Sequence, residues 1–209
     1  MHQGSLDLMA DALQRYPETG ASVLDVGAFN VNGSYREYIV SLGWHYTGLD
    51  LEANSNVDIV ADNPYHYPIE SGHYDIVISG SVAYAVLDLV SWMKELVRVM
   101  HPQGLLVIVT PSFTKPPVKS GPDLWRMSEE ALRELMTNTG VLDDIRTVES
   151  GYDVCASAVR VWGEIDEPKS SPAHYEFEVS GGTPTIGEGT GAITTKAKAK
   201  APARKATKR

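Results

Sequence analysis

The chain has 209 residues, 43% of them hydrophobic, and a net charge of −9. That length supports one well-buried core and is short for two ordinary domains. Its longest apolar runs, Leu105 to Val109 and Ile76 to Ile78, fall far short of the roughly 20 residues that cross a bilayer, which excludes a transmembrane helix.

The charge is unevenly placed. Lys196 to Arg209 holds seven Lys and Arg and no acid, so the remainder is near −16 and makes a poor general surface for nucleic acid, whose phosphates are met by Lys and Arg. A nucleic-acid partner would have to be reached through this basic tail. Met1 to Ala12 carries Asp7 and Asp11 and lacks a basic region followed by a sustained apolar one. It does not read as a signal peptide, and a cytoplasmic protein without membrane contact is expected. The single cysteine, Cys155, sits in an alternating apolar stretch, where a buried thiol is commoner than a nucleophile.

In chain order, Leu6 to Tyr16 has helical apolar spacing that ends before Pro17. Ser22 to Gly27 (SVLDVG) is a short buried strand, and Ser34 to Leu42 a helix stopped by Gly43. Tyr46 to Leu49, Val57 to Val60 and Tyr74 to Ser79 (YDIVIS) are the next three strands. Leu87 to Met100 is a helix with a wide apolar face, which the turn residues His101 to Gly104 terminate. Leu105 to Thr110 is a fifth, fully apolar strand. Pro111 to Met127, rich in Pro, Gly and Lys, is long for a structureless connection and is expected to be a functional loop. Ser128 opens another helix that Gly140 closes. Asp144 to Val148 and Asp153 to Trp162 form a terminal hairpin. Alternating strands and helices ending in a hairpin predict an α/β Rossmann-like three-layer sandwich, with a mostly parallel seven-stranded sheet and an antiparallel C-terminal hairpin. The folded domain is expected at 1–163, its core at 22–162. At 164–209, where Pro, Ser, Gly, Thr, Ala and Lys dominate, a disordered tail is expected, basic from 196.

Ligands of open α/β sheets bind beyond the carboxyl ends of the strands. The first strand ends in DVGAFNVNGS, a turn in which Gly27 permits close approach of a ligand and Gly33 a conformation that side chains resist. Asp50 ends the second strand, where an acid can accept both ribose hydroxyls. Asp62 and Asn63 follow the third and can read a purine edge. The turn lacks the G-x-G-x-x-G that brings backbone N–H groups to a pyrophosphate. Asp25, two residues before the first glycine, repels a phosphate and suits a ligand with an ammonium and a sulfonium, the charges of S-adenosylmethionine.

VLDVGAFNVNGS, YTGLD, VDIVADNPYHYP, YDIVISGSVAYAV and ELVRVMHPQGLLVIVTPS resemble, in order and spacing, the successive motifs of the class I S-adenosylmethionine-dependent methyltransferases, especially a small bacterial and phage branch with an NGS turn. The resemblance runs from Val23 to Val161. It implies that Asp25, Gly27, Ala28 and Phe29 line the methionine and ribose end, with Gly33 shaping the turn. Asp50 would hold the ribose, Leu51, Asp62 and Asn63 would flank adenine, and Ser79 and Gly80 would close the floor. Many relatives have Glu-His after the fourth strand where this chain has Tyr84-Ala85, and the glycine turn departs from the commoner G-C-G-x-G.

Methyl transfer from a sulfonium is an in-line displacement helped by positioning and exclusion of water, so a dedicated base is optional. For a hydroxyl acceptor, Tyr84, His66 and Asp123 are candidate proton acceptors; Tyr84 can equally serve helix packing and His66 an exposed turn. The segment GPDLWR (121–126) is similar to D-x-W-R segments of methyltransferase-like proteins encoded near glycosyltransferases, which favours a sugar or glycan hydroxyl as acceptor, with Trp125 as an apolar face and Arg126 as a hydrogen-bond donor. Alternatively, Trp125 anchors the loop on the core and Arg126 pairs with Asp123. No His or Cys cluster has metal-ligand spacing, and no P-loop or G-x-S-x-G elbow is present. The other readings are a methyltransferase for nucleic acid or a small metabolite, an oxidoreductase with a divergent nucleotide turn, or a non-catalytic Rossmann-like binding protein.

Overall fold

The computed structural model describes residues 3–31, 33–117 and 121–161. Seven strands form one sheet in the order β3-β2-β1-β4-β5-β7-β6. They are β1 Ser22–Val26, β2 His45–Asp50, β3 Ile59–Val60, β4 Tyr74–Gly80, β5 Met100–Pro111, β6 Leu142–Ser150 and β7 Asp153–Arg160. The first five run parallel; β7 pairs antiparallel with both β5 and β6. This is the Rossmann-like sheet with an antiparallel terminal hairpin that the strand and helix pattern predicts. The expected tail at 164–209, and Trp162 with it, lies outside the described residues.

Strand parity builds the two outer layers, because successive side chains point to opposite faces. Val23, Ile76, Ile78, Leu105, Val107 and Val109 pack against Leu8, Met9 and Leu13 of α1 (Gln3–Leu13) and Ile39 of α2 (Arg36–Ser41). Leu24, Val26, Val77, Leu106 and Ile108 pack against Trp92, Met93 and Leu96 of α3 (Leu89–Val99) and Leu132 and Met136 of α4 (Glu129–Thr137). Both faces of the central strands are covered, so β1, β4 and β5 read as unbroken apolar runs. Each such side chain contributes about 1.5–3 kcal/mol on burial. Truncating one, as in Leu24→Ala, costs about 2–5 kcal/mol. Cys155 is part of this core, and burial pushes its thiol pKa up to about 12.

Several boundaries differ from the sequence expectation for local reasons. The helix expected from Leu87 begins at Leu89, because Asp88 caps it by accepting from Ser91 N; Leu87 is left 75% exposed outside it. His101 to Gly104 does not end the structure as a turn. It bulges within β5, the register stepping from Tyr74↔Met100 to Ile76↔Leu105, with Gln103 at φ +72°. A bulge absorbs turn-forming residues without interrupting a strand. A second bulge, at Asp144 with φ +46°, lets β6 run from Leu142 to Ser150, longer than the hairpin arm expected. α1 begins and ends three residues earlier than expected, and α2 is only six residues long.

Candidate active site

The strands β1 to β5 deliver their carboxyl ends to one edge of the sheet, and the glycine turn leaves β1 there. Gly27 has φ +88°, and a Cβ on it would overlap Val82, so the residue is glycine for both backbone and space. The N–H groups of Gly27 and Ala28 donate to Leu49 O at 2.8 and 3.0 Å. Phe29 N donates to Asp50 Oδ2 at 2.9 Å, and Leu51 N to Asp50 Oδ1 at 2.7 Å. The acid at the end of β2 therefore holds the β1 turn and its own turn together, and it remains partly exposed. Gly33 closes the turn by donating to Asn30 Oδ1 at 2.9 Å.

Asp25 is buried at the end of β1, 3% exposed. Tyr46 Oη donates to its Oδ2 at 2.6 Å. Burial raises the carboxyl pKa to about 7, against the lowering effect of Tyr46 and, more weakly, of Arg36; the neighbouring Asp50 charge raises it further. A buried carboxyl with a raised pKa at the end of a strand is a physical marker of a candidate functional site.

The floor comes from β4. Ser79 Oγ donates to Val26 O at 2.7 Å, bracing β4 to β1. Gly80 takes the ring of Tyr35 directly against its backbone, and Ser81 follows in the left-handed region at φ +59°. Val82 then packs on Gly27 and leads into a short 3-10 turn, Ala83–Ala85, an element the sequence reading did not predict.

That turn carries the loop that follows β5. Tyr84 O accepts from Leu124 N at 2.9 Å and Trp125 N at 3.1 Å, and Trp125 Nε1 donates to Val86 O at 2.7 Å. Arg126 forks onto both carboxylate oxygens of Asp123, Nη2 reaching Oδ2 at 2.9 Å. It also donates to the carbonyls of Lys115 (3.3 Å) and Pro116 (3.2 Å). The contacts are those of the second alternative for these residues: Trp125 anchors the loop and Arg126 pairs with Asp123. Trp125 is nevertheless 41% exposed.

Of the site residues expected from sequence, Asp25, Gly27, Ala28, Phe29, Asp50 and Leu51 are brought together at the β1 and β2 ends, and Ser79 and Gly80 stand beside them on β4. Asp62 and Asn63 follow β3 directly and are exposed, with Asn63 Oδ1 accepting from Tyr65 N at 2.8 Å. His66 is placed differently. Its side chain is 74% exposed, with Nδ1 4.0 Å from Oε1 of the buried Glu95 on α3. That Glu95 forks onto Arg98 and accepts from Tyr67 N, fixing the path of the connection between β3 and β4.

The sequence reading did not single out Tyr46, Arg36 and Asn56, which lie under the glycine turn. Asn56 Nδ2 donates to Ala28 O at 2.8 Å and Tyr46 Oη at 3.0 Å, while its Oδ1 accepts from Ser34 Oγ and Arg36 Nε. The available signal was parity: Tyr46, Gly48 and Asp50 alternate onto one face of β2, and Gly48 is the register partner of Asp25.

Among the described residues no helix is long and apolar enough to cross a membrane, and no group of three or more His, Cys, Asp and Glu is placed to hold a metal ion.

Residues 24–108 match the family described as the methyltransferase domain, and with its mostly parallel seven-stranded sheet and antiparallel end the chain has the Rossmann-like methyltransferase fold. Among solved structures it is similar to a SAM-dependent methyltransferase from Aquifex aeolicus, at 19% identity and TM-score 0.58, covering 75% of this chain and 92% of that one. It is also similar to the 1,6-didemethyltoxoflavin-N1-methyltransferase of Burkholderia thailandensis (15%, TM-score 0.59, 76% of this chain and 77% of that one). Phosphoethanolamine N-methyltransferase 2 of Haemonchus contortus matches at 14% and TM-score 0.59, over 75% of this chain and 52% of that one. No curated protein sequence matches the chain.

Proposed function

We propose that the protein transfers the methyl group of S-adenosylmethionine to an acceptor hydroxyl, with a sugar or glycan as the acceptor class. The cofactor class rests above all on one observation, a buried carboxylate, Asp25, two residues ahead of a glycine turn that a second acid, Asp50, ties down. Two acids beside the turn, one buried and one partly exposed, disfavour a pyrophosphate by like-charge repulsion and favour a cation. The residues fit an adenosyl sulfonium compound: Asp25 meets positive charge, Gly27 and Ala28 present backbone without bulk, Asp50 takes the ribose hydroxyls, and exposed Phe29 and Leu51 offer apolar surface to adenine.

When bound, S-adenosylmethionine would supply an electrophilic sulfonium methyl for in-line transfer to the acceptor oxygen, the hydroxyl proton being released to water. The chain's own contribution is placement and exclusion of water. Val82 couples the cofactor turn to the 3-10 turn, and Tyr84 O carries the loop that shapes the acceptor side. Tyr84 is the side chain we assign to the acceptor hydroxyl, and the exposed face of Trp125 to its ring. Asp123, forked by Arg126, holds the loop, and His66 stands beside Glu95 on the α3 side.

The test is methyl transfer from methyl-labelled S-adenosylmethionine to acceptor panels of saccharides, phenols and amines. Labelling of saccharides, lowered by Trp125→Ala with cofactor affinity retained, supports the reading. Labelling confined to phenols or amines would contradict the acceptor class and leave the cofactor class standing.

A further inference from the structure

We infer that Tyr46 and Asn56 are positioning residues for the cofactor, holding the Asp25 carboxylate ready for the ammonium group of the methionine moiety; the inference rests on the S-adenosylmethionine reading. Asp25 lies opposite Gly48 in the register between β1 and β2. A Cβ on Gly48 would overlap the Asn56 carbonyl, so glycine lets the Asn56 segment settle onto β2 beside Tyr46.

The direction of every hydrogen bond in the cluster follows from donors that cannot accept. Arg36 Nε has only a proton to give, and it lies 2.9 Å from Asn56 Oδ1, which fixes the amide orientation. Asn56 Nδ2 then gives one proton to Ala28 O and the other to Tyr46 Oη. With its lone pair engaged, the Tyr46 phenol directs its own proton to Asp25 Oδ2. The chain from Arg36 through Asn56 and Tyr46 donates in one direction and ends on the carboxylate. Its base is secured by Asp58, whose Oδ2 accepts from Arg36 Nη2 at 2.6 Å and from Gly48 N at 2.8 Å, and by the Arg36 guanidinium lying 4.3 Å from the Tyr46 ring centroid.

One amide thus sets both the backbone of the cofactor turn and the donor that favours ionised Asp25. The charged and titratable groups facing Asp25 are Tyr46 and Asp50 from β2, Arg36 from α2 and Tyr35 just before it. Tyr35 is engaged with Ser5 of α1, Asp50 opposes ionisation, and Tyr46 and Arg36 favour it. An ammonium ligand requires the ionised form, so its affinity follows Asp25's titration.

The experiment is calorimetric titration of S-adenosylmethionine between pH 6 and 9 into the wild type, Tyr46→Phe and Asn56→Ala. 5′-Methylthioadenosine, which lacks the amino acid, is the control ligand. Wild-type affinity is expected to rise with pH to about 7 and then level. Tyr46→Phe keeps the ring under Arg36 and loses only the donor. Its levelling point moves up by about one pH unit, giving about fivefold weaker binding at pH 7 and recovery to within about twofold at pH 9. Asn56→Ala shows the same displacement, and methylthioadenosine affinity stays flat with pH throughout. Equal weakening of both ligands at every pH, or wild-type affinity independent of pH, overturns the inference while leaving the cofactor reading intact. Failure of the wild type to bind either compound overturns the cofactor reading itself.

Discussion

The cleft has two halves that use polar side chains in opposite ways. At the ends of β1 and β2, Asp50 and Asn56 spend their polar atoms on the backbone of the cofactor turn, meeting Phe29 N, Leu51 N and Ala28 O. In the loop after β5, which we propose faces the acceptor, Asp123 and Arg126 bind each other and neighbouring carbonyls, and Trp125 Nε1 is taken by Val86 O. The first half is a turn whose shape is set by side chains bonded to its own backbone. The second is an internally satisfied loop that offers a substrate chiefly the faces of its rings. Cofactor identity should therefore be sensitive to single side-chain changes on β1 and β2, and acceptor preference to the loop as a unit.

The largest effect is expected where the halves meet. Gly27→Ala combines a positive φ with overlap on Val82; each term costs about 1–3 kcal/mol, so thermal denaturation should show a clear loss of stability together with loss of cofactor binding. Adding Val82→Ala should recover part of the stability and none of the φ cost. An equal loss with and without Val82→Ala would mean the two segments do not press on each other.

Next in size is the pH response of Asp25. Its folded pKa, about 7, lies above the ordinary 3.8, so the folded state holds the proton more tightly than the unfolded chain does. The associated stability is complete below about pH 4 and is lost as pH rises to about 7. Asp25→Asn escapes this loss. In the absence of cofactor its stability relative to the wild type should increase by about 1.4 kcal/mol per pH unit across that window and then level, while its cofactor affinity falls. Denaturant melts at pH 4, 5.5, 7 and 8 measure it, and a difference constant with pH would show that Asp25 is ionised throughout.

A smaller effect is expected in the loop. Arg126→Ala removes the fork to Asp123 and the ties to Lys115 and Pro116. The acceptor KM should rise several-fold, with S-adenosylmethionine affinity within about twofold of the wild type. Equal losses for cofactor and acceptor would dissolve the distinction between the halves.

The same contrast explains what could be read from the sequence. Strand ends are legible because a short apolar run followed by a polar residue marks both the strand and its mouth; Asp25, Gly27 and Asp50 fall at such boundaries, and so does the sheet that carries them. Tyr46, Arg36 and Asn56 were not legible in the same way, since their roles exist only once β1, β2 and the segment before β3 are side by side. Trp125 and Arg126 stood out by type, but whether their polar atoms faced a ligand or the protein depended on where Val86 O and Asp123 came to lie. The bulge at His101 to Gly104 was misread because Pro, Gln and Gly signal a turn locally, and only pairing with β4 carries them into a strand.

The most direct test of the central claim is a calorimetric titration of the purified protein with S-adenosylmethionine, S-adenosylhomocysteine and NADH, beside Asp50→Ala. The account predicts micromolar binding of both adenosyl compounds, none of NADH, and at least a tenfold loss in Asp50→Ala, about 1.4 kcal/mol. Binding of NADH in preference to either, or adenosyl binding untouched by loss of the Asp50 carboxylate, would contradict it.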